Sequence, residues 1–229
     1  MSETIPLPDR RAELLAAEAK ASAMFDAIEA AGLIAPGRTE GEVARDIFGL
    51  AEARFGVAQH WHRRIVRAGA NTLTTASDYP DVRTIEPDDT VYVDLGPVFE
   101  RWEADIGRTY ALGDAEDRRA LVAALPRVFD DVQRHFHASP DITGAELYAY
   151  AQGAAERAGW VFGGAIAGHL VGEFPHGRWP GERERMVIWP ANVWPMRDLD
   201  HLGRERHWIL EIHLVDAARS FGGFYERLL

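Results

Sequence analysis

The stretch that decides the fold is VYVDLGPVFERWEADIGRTY, residues 91–110. Its apolar segments predict two β-strands that fold back on each other near Gly96-Pro97. Two carboxylates, Asp94 and Asp105, lie on these apolar strands. Acidic residues are depleted in strands and are costly to bury, so both carboxylates need an explanation. They are either surface charges or ligands.

The composition limits the classes of protein to which the chain can belong. Its 229 residues are 47% hydrophobic, which is enough for one core in a single domain or in two fused halves. Without an 18-residue apolar run or a basic-then-apolar leader, we expect a soluble, cytoplasmic protein with no membrane partner. The net charge of −11 argues against nucleic-acid binding. The absence of cysteine excludes thiolate sites, so any metal must be held by carboxylate and imidazole.

Helical patterns lie on both sides of the hairpin. The expected helices cover residues 9–31, 39–55, 114–137 and 143–159. Two of them open with a capping box, in which a Thr and the Glu three residues later bind each other's backbone; these begin at Thr39 and Thr143. In the third helix, Pro126 should produce a kink.

The C-terminal region repeats the order of the first half. A strand pair, WILEIHLVD (208–216) and FGGFYERLL (221–229), carries one acidic residue on each strand, Glu211 and Glu226. The order helix, capping box, helix, acidic hairpin therefore occurs twice, which suggests a structural duplication. If the halves pack about a pseudo-twofold axis, the two acidic hairpins meet at the centre.

Residues 173–207 form an excursion rich in Pro, Trp, Arg and Glu. Its one clear strand pattern covers Met186 to Trp189. The segment is interpreted either as a structured surface excursion or as a loop that shapes a pocket wall or a dimer contact.

Four carboxylates that converge in a core would repel one another unless cations compensate them. Two divalent metal ions supply the four positive charges required. An imidazole ligand is available in AIAGHLVGEFPH, residues 165–176, which contains His169 and His176. The neighbouring Gly168 and Gly172 allow close approach of the backbone.

The pattern VDLG, AD..RT, GH with a second His seven residues on, and a Glu on each of the last two strands resembles a family of dinuclear metallohydrolases. This family includes methionine aminopeptidase, aminopeptidase P, prolidase and creatinase, and it shares the pita-bread fold. The resemblance covers residues 10–229. It implies an α+β fold of two pseudo-symmetric halves, with a central curved antiparallel sheet flanked by helices. We expect residues 1–229 to form a single catalytic metallohydrolase domain with no separate N-terminal domain.

The resemblance also assigns roles to the metal ligands. Asp94 would bind one metal, His169 and Glu211 would bind the other, and Asp105 and Glu226 would bridge both. The oxygen-rich ligand set favours Mn(II), with Co(II), Fe(II) and Zn(II) as alternatives.

The activity implied is hydrolysis of an amide C–N bond by a hydroxide that bridges the two metals. Glu211 would pass a proton from this nucleophile to the leaving nitrogen, and His176 would donate a hydrogen bond to the carbonyl oxygen. The first hypothesis is a metallopeptidase, an aminopeptidase or Xaa-Pro-like dipeptidase acting on small peptides, that forms a homodimer as relatives often do. The alternatives are a creatinase-like hydrolase of a small non-peptide amide and a catalytically silent, peptide-binding relative.

The sequence departs from the family pattern at three positions. Peptidases of the family carry a substrate-contacting His at about the place where this chain has Ala76. His60, His62 and His213 are the candidates to take over its role. Xaa-Pro-specific relatives usually carry an Arg where this chain has Phe224, and a further His where it has Ala165.

Two more acidic residues stand in the first hairpin. We expect Glu100 and Glu103 to face solvent and not to bind metal.

Overall fold

The computed structural model of the protein describes residues 9–176 and 183–229. Its α-helices are α1 (Arg10–Ala30), α2 (Glu40–Phe55), α3 (Glu116–Ala138) and α4 (Gly144–Arg157). Its strands are β1 (Ile65–Ala68), β2 (Thr90–Leu95), β3 (Val98–Phe99), β4 (Trp102–Glu103), β5 (Ile106–Ala111), β6 (Val161–Phe162), β7 (Gly168–Val171), β8 (His207–Val215) and β9 (Gly222–Leu228). None of the described helices combines the length and the apolarity needed to cross a membrane.

The central sheet is antiparallel, with the strand order β1-β2-β5-β9-β8-β6, and β7 also pairs with β8. This order is symmetric about its middle, because each half contributes an outer strand and a long hairpin. The hairpins are β2-β5 in the first half and β8-β9 in the second, and they meet where β5 pairs with β9. The two acidic hairpins therefore lie side by side, as the duplicated sequence pattern predicts.

Each half has its own hydrophobic core between its helices and its part of the sheet. The first core packs α1 and α2 against β1, β2 and β5 around Phe25 and Ile47. The second packs α3 and α4 against β8 and β9 around Leu121 and Leu147. Each fully buried Leu, Ile or Phe contributes about 1.5–3 kcal/mol to the free energy of folding. The packing of the helices against one face of the sheet therefore stabilises its strand register.

The helix predictions are confirmed within one or two residues at each end. Both capping boxes form at Thr39 and Thr143. Helix α3 continues through Pro126 as one element, because its apolar face is buried along its whole length and packing offsets the lost hydrogen bond.

The predicted strand at Met186 to Trp189 is wrong. Residues Arg183–Met186 form a 3-10 helix, and Val187 makes a single β-bridge to His169. A hydrogen bond from Trp189 Nε1 to the Glu184 carbonyl (3.0 Å) folds the segment back on itself, so its pairing beside β7 is confined to Val187 and to Ile188, whose backbone bonds Gly168 and Ala167 (both 2.8 Å). Residues 177–182 of this excursion lie outside the described part of the chain.

Candidate metal centre

The acidic residues are aligned by strand register. Asp94 on β2 is paired with Gly107 on β5, Gly107 is paired with Glu226 on β9, and Glu226 is paired with Glu211 on β8. Directly paired residues of adjacent antiparallel strands project to the same face. Asp105 precedes Gly107 by two residues and so shares that face. The four carboxylates therefore converge on one side of the sheet.

Strand β7 brings an imidazole to the same place. His169 Nε2 lies 3.1 Å from Asp105 Oδ2, 3.5 Å from Glu211 Oε1 and 3.8 Å from Glu226 Oε1. The structure thus brings together all five residues that the sequence analysis predicts as metal ligands, from four strands and the start of a fifth.

The electrostatics of this cluster fit a cation site. Burial and the neighbouring carboxylates raise the pKa of Asp94 and of Glu211 to about 7 and raise the pKa of Glu226 well above its usual range. Burial alone would also raise the pKa of Asp105, but the imidazoles of His62 and His169 lower it to about 2. Carboxylates packed this closely are stable as anions only with positive charge between them.

Unsatisfied acceptors point to the same conclusion. Asp94 Oδ1 and Glu226 Oε2 are buried, and neither accepts a hydrogen bond from any residue in the described ranges. Buried polar atoms are rarely left without a partner, so these oxygens fit a pair of metal ions. The donor atoms form two triads, each within 4.8 Å: His62, Asp94 and Asp105, and then Asp105, His169 and Glu226.

The prediction that Glu103 faces solvent is wrong. Glu103 is buried, and its carboxylate accepts hydrogen bonds from Gly172 N (3.2 Å), His176 N (3.0 Å) and His176 Nδ1 (2.7 Å). The small hairpin β3-β4 turns Glu103 inward against the chain that follows β7. Glu100, at the tip of this hairpin, is exposed as predicted. The functional consequence is that a buried carboxylate holds the ring of His176.

Trp61 occupies the middle of the histidine group, and the sequence analysis did not single it out. Its ring meets those of His62, His169 and His176 edge-on, with centroids 4.5, 5.1 and 5.3 Å away. Its Nε1 donates to the Ala104 carbonyl (3.2 Å). The signal in the sequence was an aromatic residue between two histidines in QHWHRR.

The three histidines expected to take over substrate contact lie in different places. His62 contacts the carboxylates themselves, with Nε2 3.1 Å from Asp105 Oδ1 and 3.4 Å from Asp94 Oδ1. His60 packs near Phe48 instead of reaching the cluster, and burial lowers its pKa to about 4. His213 is buried beside the cluster and donates from Nε2 to the Thr72 carbonyl (2.8 Å).

Within the described part of the chain, two cavities border the predicted metal ligands. One, of about 280 Å³, is bounded by Asp94, Glu211 and His213. The three positions at which the sequence departs from the family pattern, Ala76, Ala165 and Phe224, line this same cavity together with Tyr92. Small and apolar side chains therefore take the places where two imidazoles and a guanidinium were expected.

The second cavity, of about 470 Å³, is lined by Trp61, His169, His176 and, from the excursion, Met186 and Val187. Of the interpretations left open for the excursion, the pocket wall is therefore the one that the described residues fit.

Comparisons with known proteins agree with this geometry. Residues 12–194, well over half of the chain, match the model of metallopeptidase family M24. An Xaa-Pro dipeptidase from Lactobacillus helveticus is 29% identical over 136 residues, which are 59% of this chain and 35% of that protein. The chain thus spans only about a third of the length of this curated relative.

Solved structures show the same fold. An Xaa-Pro dipeptidase from Bacillus anthracis superimposes with a TM-score of 0.71 at 19% identity, over 97% of this chain and 57% of that one. Methionine aminopeptidase from Rickettsia prowazekii has a TM-score of 0.68 at 13% identity, over 98% and 94% of the two chains. At these identities the likeness concerns the fold, which is the pita-bread fold expected from the sequence. With the family match and the convergent acidic hairpins, it follows that the chain belongs to metallopeptidase family M24.

Proposed function

We propose that this protein is a dinuclear metal-dependent peptidase that hydrolyses an amide C–N bond of a small peptide as a single catalytic domain over residues 1–229. The observation that carries the proposal is the convergence of four carboxylates and one imidazole on one face of the sheet. Asp94 would hold one metal, His169 and Glu211 would hold the other, and Asp105 and Glu226 would be shared by both. Two divalent cations bound there supply an acidified water and a Lewis acid for the substrate carbonyl.

The protein's own residues move the proton and orient the substrate. Glu211 lines the cavity of about 280 Å³ beside Asp94, where it can accept a proton from the attacking water and deliver it to the leaving nitrogen. His176 lines the other cavity. Its Nδ1 donates to Glu103, which fixes the ring, and in the imidazolium form Nε2 has a second N–H for the substrate oxygen.

The cavity of about 280 Å³ beside Asp94 suits an apolar substrate group. Ala76, Ala165, Tyr92 and Phe224 give it walls without positive charge, so it fits an uncharged side chain or a proline ring better than an acidic group. Two of the relatives are named Xaa-Pro dipeptidases. Small peptides, including Xaa-Pro peptides, are therefore the first substrates to test.

We also propose which metal the protein binds, where in the cell it is located and that it forms a dimer. The excess of oxygen ligands favours Mn(II) over Co(II), Fe(II) and Zn(II). A cytoplasmic location and a homodimer, both expected from the sequence, remain part of the proposal.

The test is an activity screen on metal-loaded protein. The apoprotein is loaded separately with Mn(II), Co(II), Fe(II) and Zn(II), and each form is assayed on Xaa-Pro dipeptides, Met-peptides, other dipeptides and amidino compounds. We expect hydrolysis of peptides with apolar residues, and a loss of about 10²–10⁴-fold in kcat for Glu211→Gln with the fold intact. Turnover of amidino compounds alone would replace the peptidase proposal with a creatinase-like one. Absence of both metal binding and turnover would leave a silent, peptide-binding protein.

A further inference from the structure

His62 lies on the opposite side of Asp105 from His169. Asp105 Oδ1 is 3.1 Å from His62 Nε2, and Asp105 Oδ2 is 3.1 Å from His169 Nε2. Each oxygen of this one carboxylate therefore faces one imidazole. The second neighbour of His62 is Asp94, whose Oδ1 lies 3.4 Å away and accepts no hydrogen bond from the described residues.

The two imidazoles are also oriented in the same way. His62 Nδ1 is 2.6 Å from the carbonyl of the next residue, Arg63, and His169 Nδ1 is 2.8 Å from the carbonyl of the next residue, Leu170. A carbonyl only accepts hydrogen bonds, so Nδ1 carries the proton in both rings. In the neutral form, which is the form that can bind a cation, each ring therefore has its lone pair on Nε2, the nitrogen that faces the carboxylates. Metal-binding histidines in proteins usually have this arrangement, in which the other ring nitrogen is anchored to a backbone carbonyl or a carboxylate.

The position of His62 is built into the backbone. Trp61 N donates to the Gly96 carbonyl (2.9 Å), which ties the segment before β1 to the end of β2. A Cβ at Gly96 would lie 2.2 Å from His62 Cδ2 and 2.4 Å from Trp61 Nε1, so only glycine leaves room for both rings. The His62 side chain is 19% exposed. The glycine of the DLG motif thus has a structural role here, which is to admit the ring of His62 to the carboxylates.

The spacing of the donor atoms is that of ligands on a shared cation. Two donors bound at about 2.1 Å to one first-row cation lie about 3.0 Å apart at a right angle and about 3.4 Å apart at a tetrahedral angle. The two distances from His62 Nε2, to Asp105 Oδ1 and to Asp94 Oδ1, fall in this range.

We infer that His62 is a sixth protein ligand of the centre and binds, through Nε2, the cation that Asp94 and Asp105 hold. This inference rests on the proposed dinuclear function and adds to it, since each cation then has one imidazole. The sequence analysis assigned His62 to substrate contact, and this assignment changes. Because imidazole suits Fe and Zn better than Mg or Ca, the sixth ligand also favours a transition metal over Mg or Ca at both positions.

The test is metal binding by three proteins: wild type, His62→Ala, and His60→Ala as the matched control. His60 is a half-buried imidazole two residues away in the same segment, and its ring packs near Phe48 instead of the carboxylates. Chelator-treated proteins are titrated with Mn(II) by calorimetry, and the bound Mn(II) is examined by electron paramagnetic resonance. Urea unfolding of the apoproteins shows whether each variant is folded.

We expect wild type and His60→Ala to bind two Mn(II) per chain and to give a spin-coupled dinuclear signal. His62→Ala should keep one site and bind the second ion at least about tenfold more weakly, giving the signal of an isolated Mn(II) at one equivalent. Should His62→Ala not fold, pulsed resonance of wild type decides the matter, because nitrogen coupling is expected at both ions.

Three outcomes would overturn the inference. His62→Ala could bind two ions with wild-type affinities, in which case His62 is not a ligand and the dinuclear peptidase stands. Wild type could bind a single ion, in which case protonated His62 acts as a counter-ion in place of the second metal. Wild type could bind none, which removes the proposed function as well.

Discussion

The second helix of each half begins with the same kind of capping box. The loop that packs against this helix is held by a helix side chain in the first half and by its own side chain in the second. Helices α2 and α4 each open with a complete capping box, at Thr39 and at Thr143. The next residue, the first of the helix, is Glu40 in one half and Gly144 in the other. In the first half, a buried carboxylate of the helix binds the backbone of the loop. In the second half, a side chain of the loop packs against the glycine of the helix.

In the first half Glu40 holds the loop that follows β1. Its carboxylate accepts hydrogen bonds from Ala68 N (2.7 Å), Arg83 N (3.1 Å) and Asn71 Nδ2 (3.0 Å). The chain between these points includes Ala76, which lines the cavity beside Asp94. A single buried side chain therefore holds both ends of a cavity wall.

In the second half the loop supplies the anchor. The Asn192 side chain packs over Gly144, where a Cβ would lie 2.4 Å from Asn192 Nδ2. The Asn192 carbonyl accepts from Ala145 N (2.7 Å), and its Nδ2 donates to the Val187 carbonyl (2.9 Å). Val187 bridges to His169 and lines the second cavity. The duplicated helix end therefore supports both pockets, while the contact that forms each wall differs between the halves.

The largest expected effect on stability is at Glu40. Glu40→Ala removes the acceptor from three donors, two of them backbone N–H groups, and each unsatisfied buried donor costs about 1–3 kcal/mol. We expect a loss of about 4 kcal/mol in the free energy of unfolding, measured with urea. Glu40→Gln keeps one accepting oxygen and should lose less. A loss below about 1 kcal/mol for Glu40→Ala would mean that the loop does not depend on this anchor.

The next largest effect is expected on kcat, at a contact that joins the two halves. Glu103 belongs to the first half and holds His176 of the second. Glu103→Gln turns one accepting oxygen into a donor, which misplaces the ring, and we expect kcat to fall about 10²-fold. KM should change little, while the urea midpoint should fall as for Glu40→Gln, because the new NH2 group faces buried N–H donors. Glu100→Gln, in the exposed turn of the same hairpin, is the control and should behave as wild type. Equal kinetics for both variants would contradict a positioning role for Glu103.

A smaller effect tests the inward anchor of the second half. In Gly144→Ala the new methyl group meets the Asn192 side chain, and overpacking of this kind costs about 1–3 kcal/mol. Asn192→Ala alone loses its hydrogen bonds and should also destabilise the protein. Because Asn192→Ala removes the clash, the double variant should be less destabilised than the sum of the two single variants. Strict additivity in urea unfolding would show that the two residues do not interact.

The smallest effect should be the same in both halves. Thr39→Ala and Thr143→Ala each remove a helix cap at a cost of about 1 kcal/mol, and the two costs should add because the sites lie in different halves. The hydrogen bonds to Thr39 and Thr143 lower the pKa of Glu42 and Glu146 from 4.5. The part of each box that the Glu carboxylate supplies is therefore complete above pH 4.5 and is lost as the pH falls through the folded-state pKa, whereas the hydrogen bond from the Glu backbone N–H to the Thr hydroxyl does not depend on pH. Urea unfolding at pH 7 and at acid pH checks this, and unequal costs at pH 7 would break the equivalence of the two helix ends.

Much of the site could be predicted from sequence because its residues carry local signals. Asp94, Asp105, Glu211 and Glu226 stand out as carboxylates on apolar strands, and His169 stands out between glycines. Their order along the chain was enough to indicate the family. Glu103 carries no such signal, since an acidic residue near a turn is ordinary on a protein surface, and the one signal of Trp61, its place between two histidines, does not by itself indicate a site.

What the sequence by itself determined is therefore the set of helices, their capped ends, the strand segments and the chemical identity of the acidic and imidazole groups. Each of these depends on residues within a few positions of one another, which hydrogen-bonding periodicity and side-chain polarity describe. Tertiary structure alone decided the strand register that aligns the carboxylates, the contact of His62 with Asp105, the contact of Glu103 with His176, and the cavity that Ala76, Ala165 and Phe224 share. Apart from the two carboxylates within each hairpin, these contacts join residues more than about 40 positions apart, and they arise from strand register and from the packing of two cores, which no local pattern encodes.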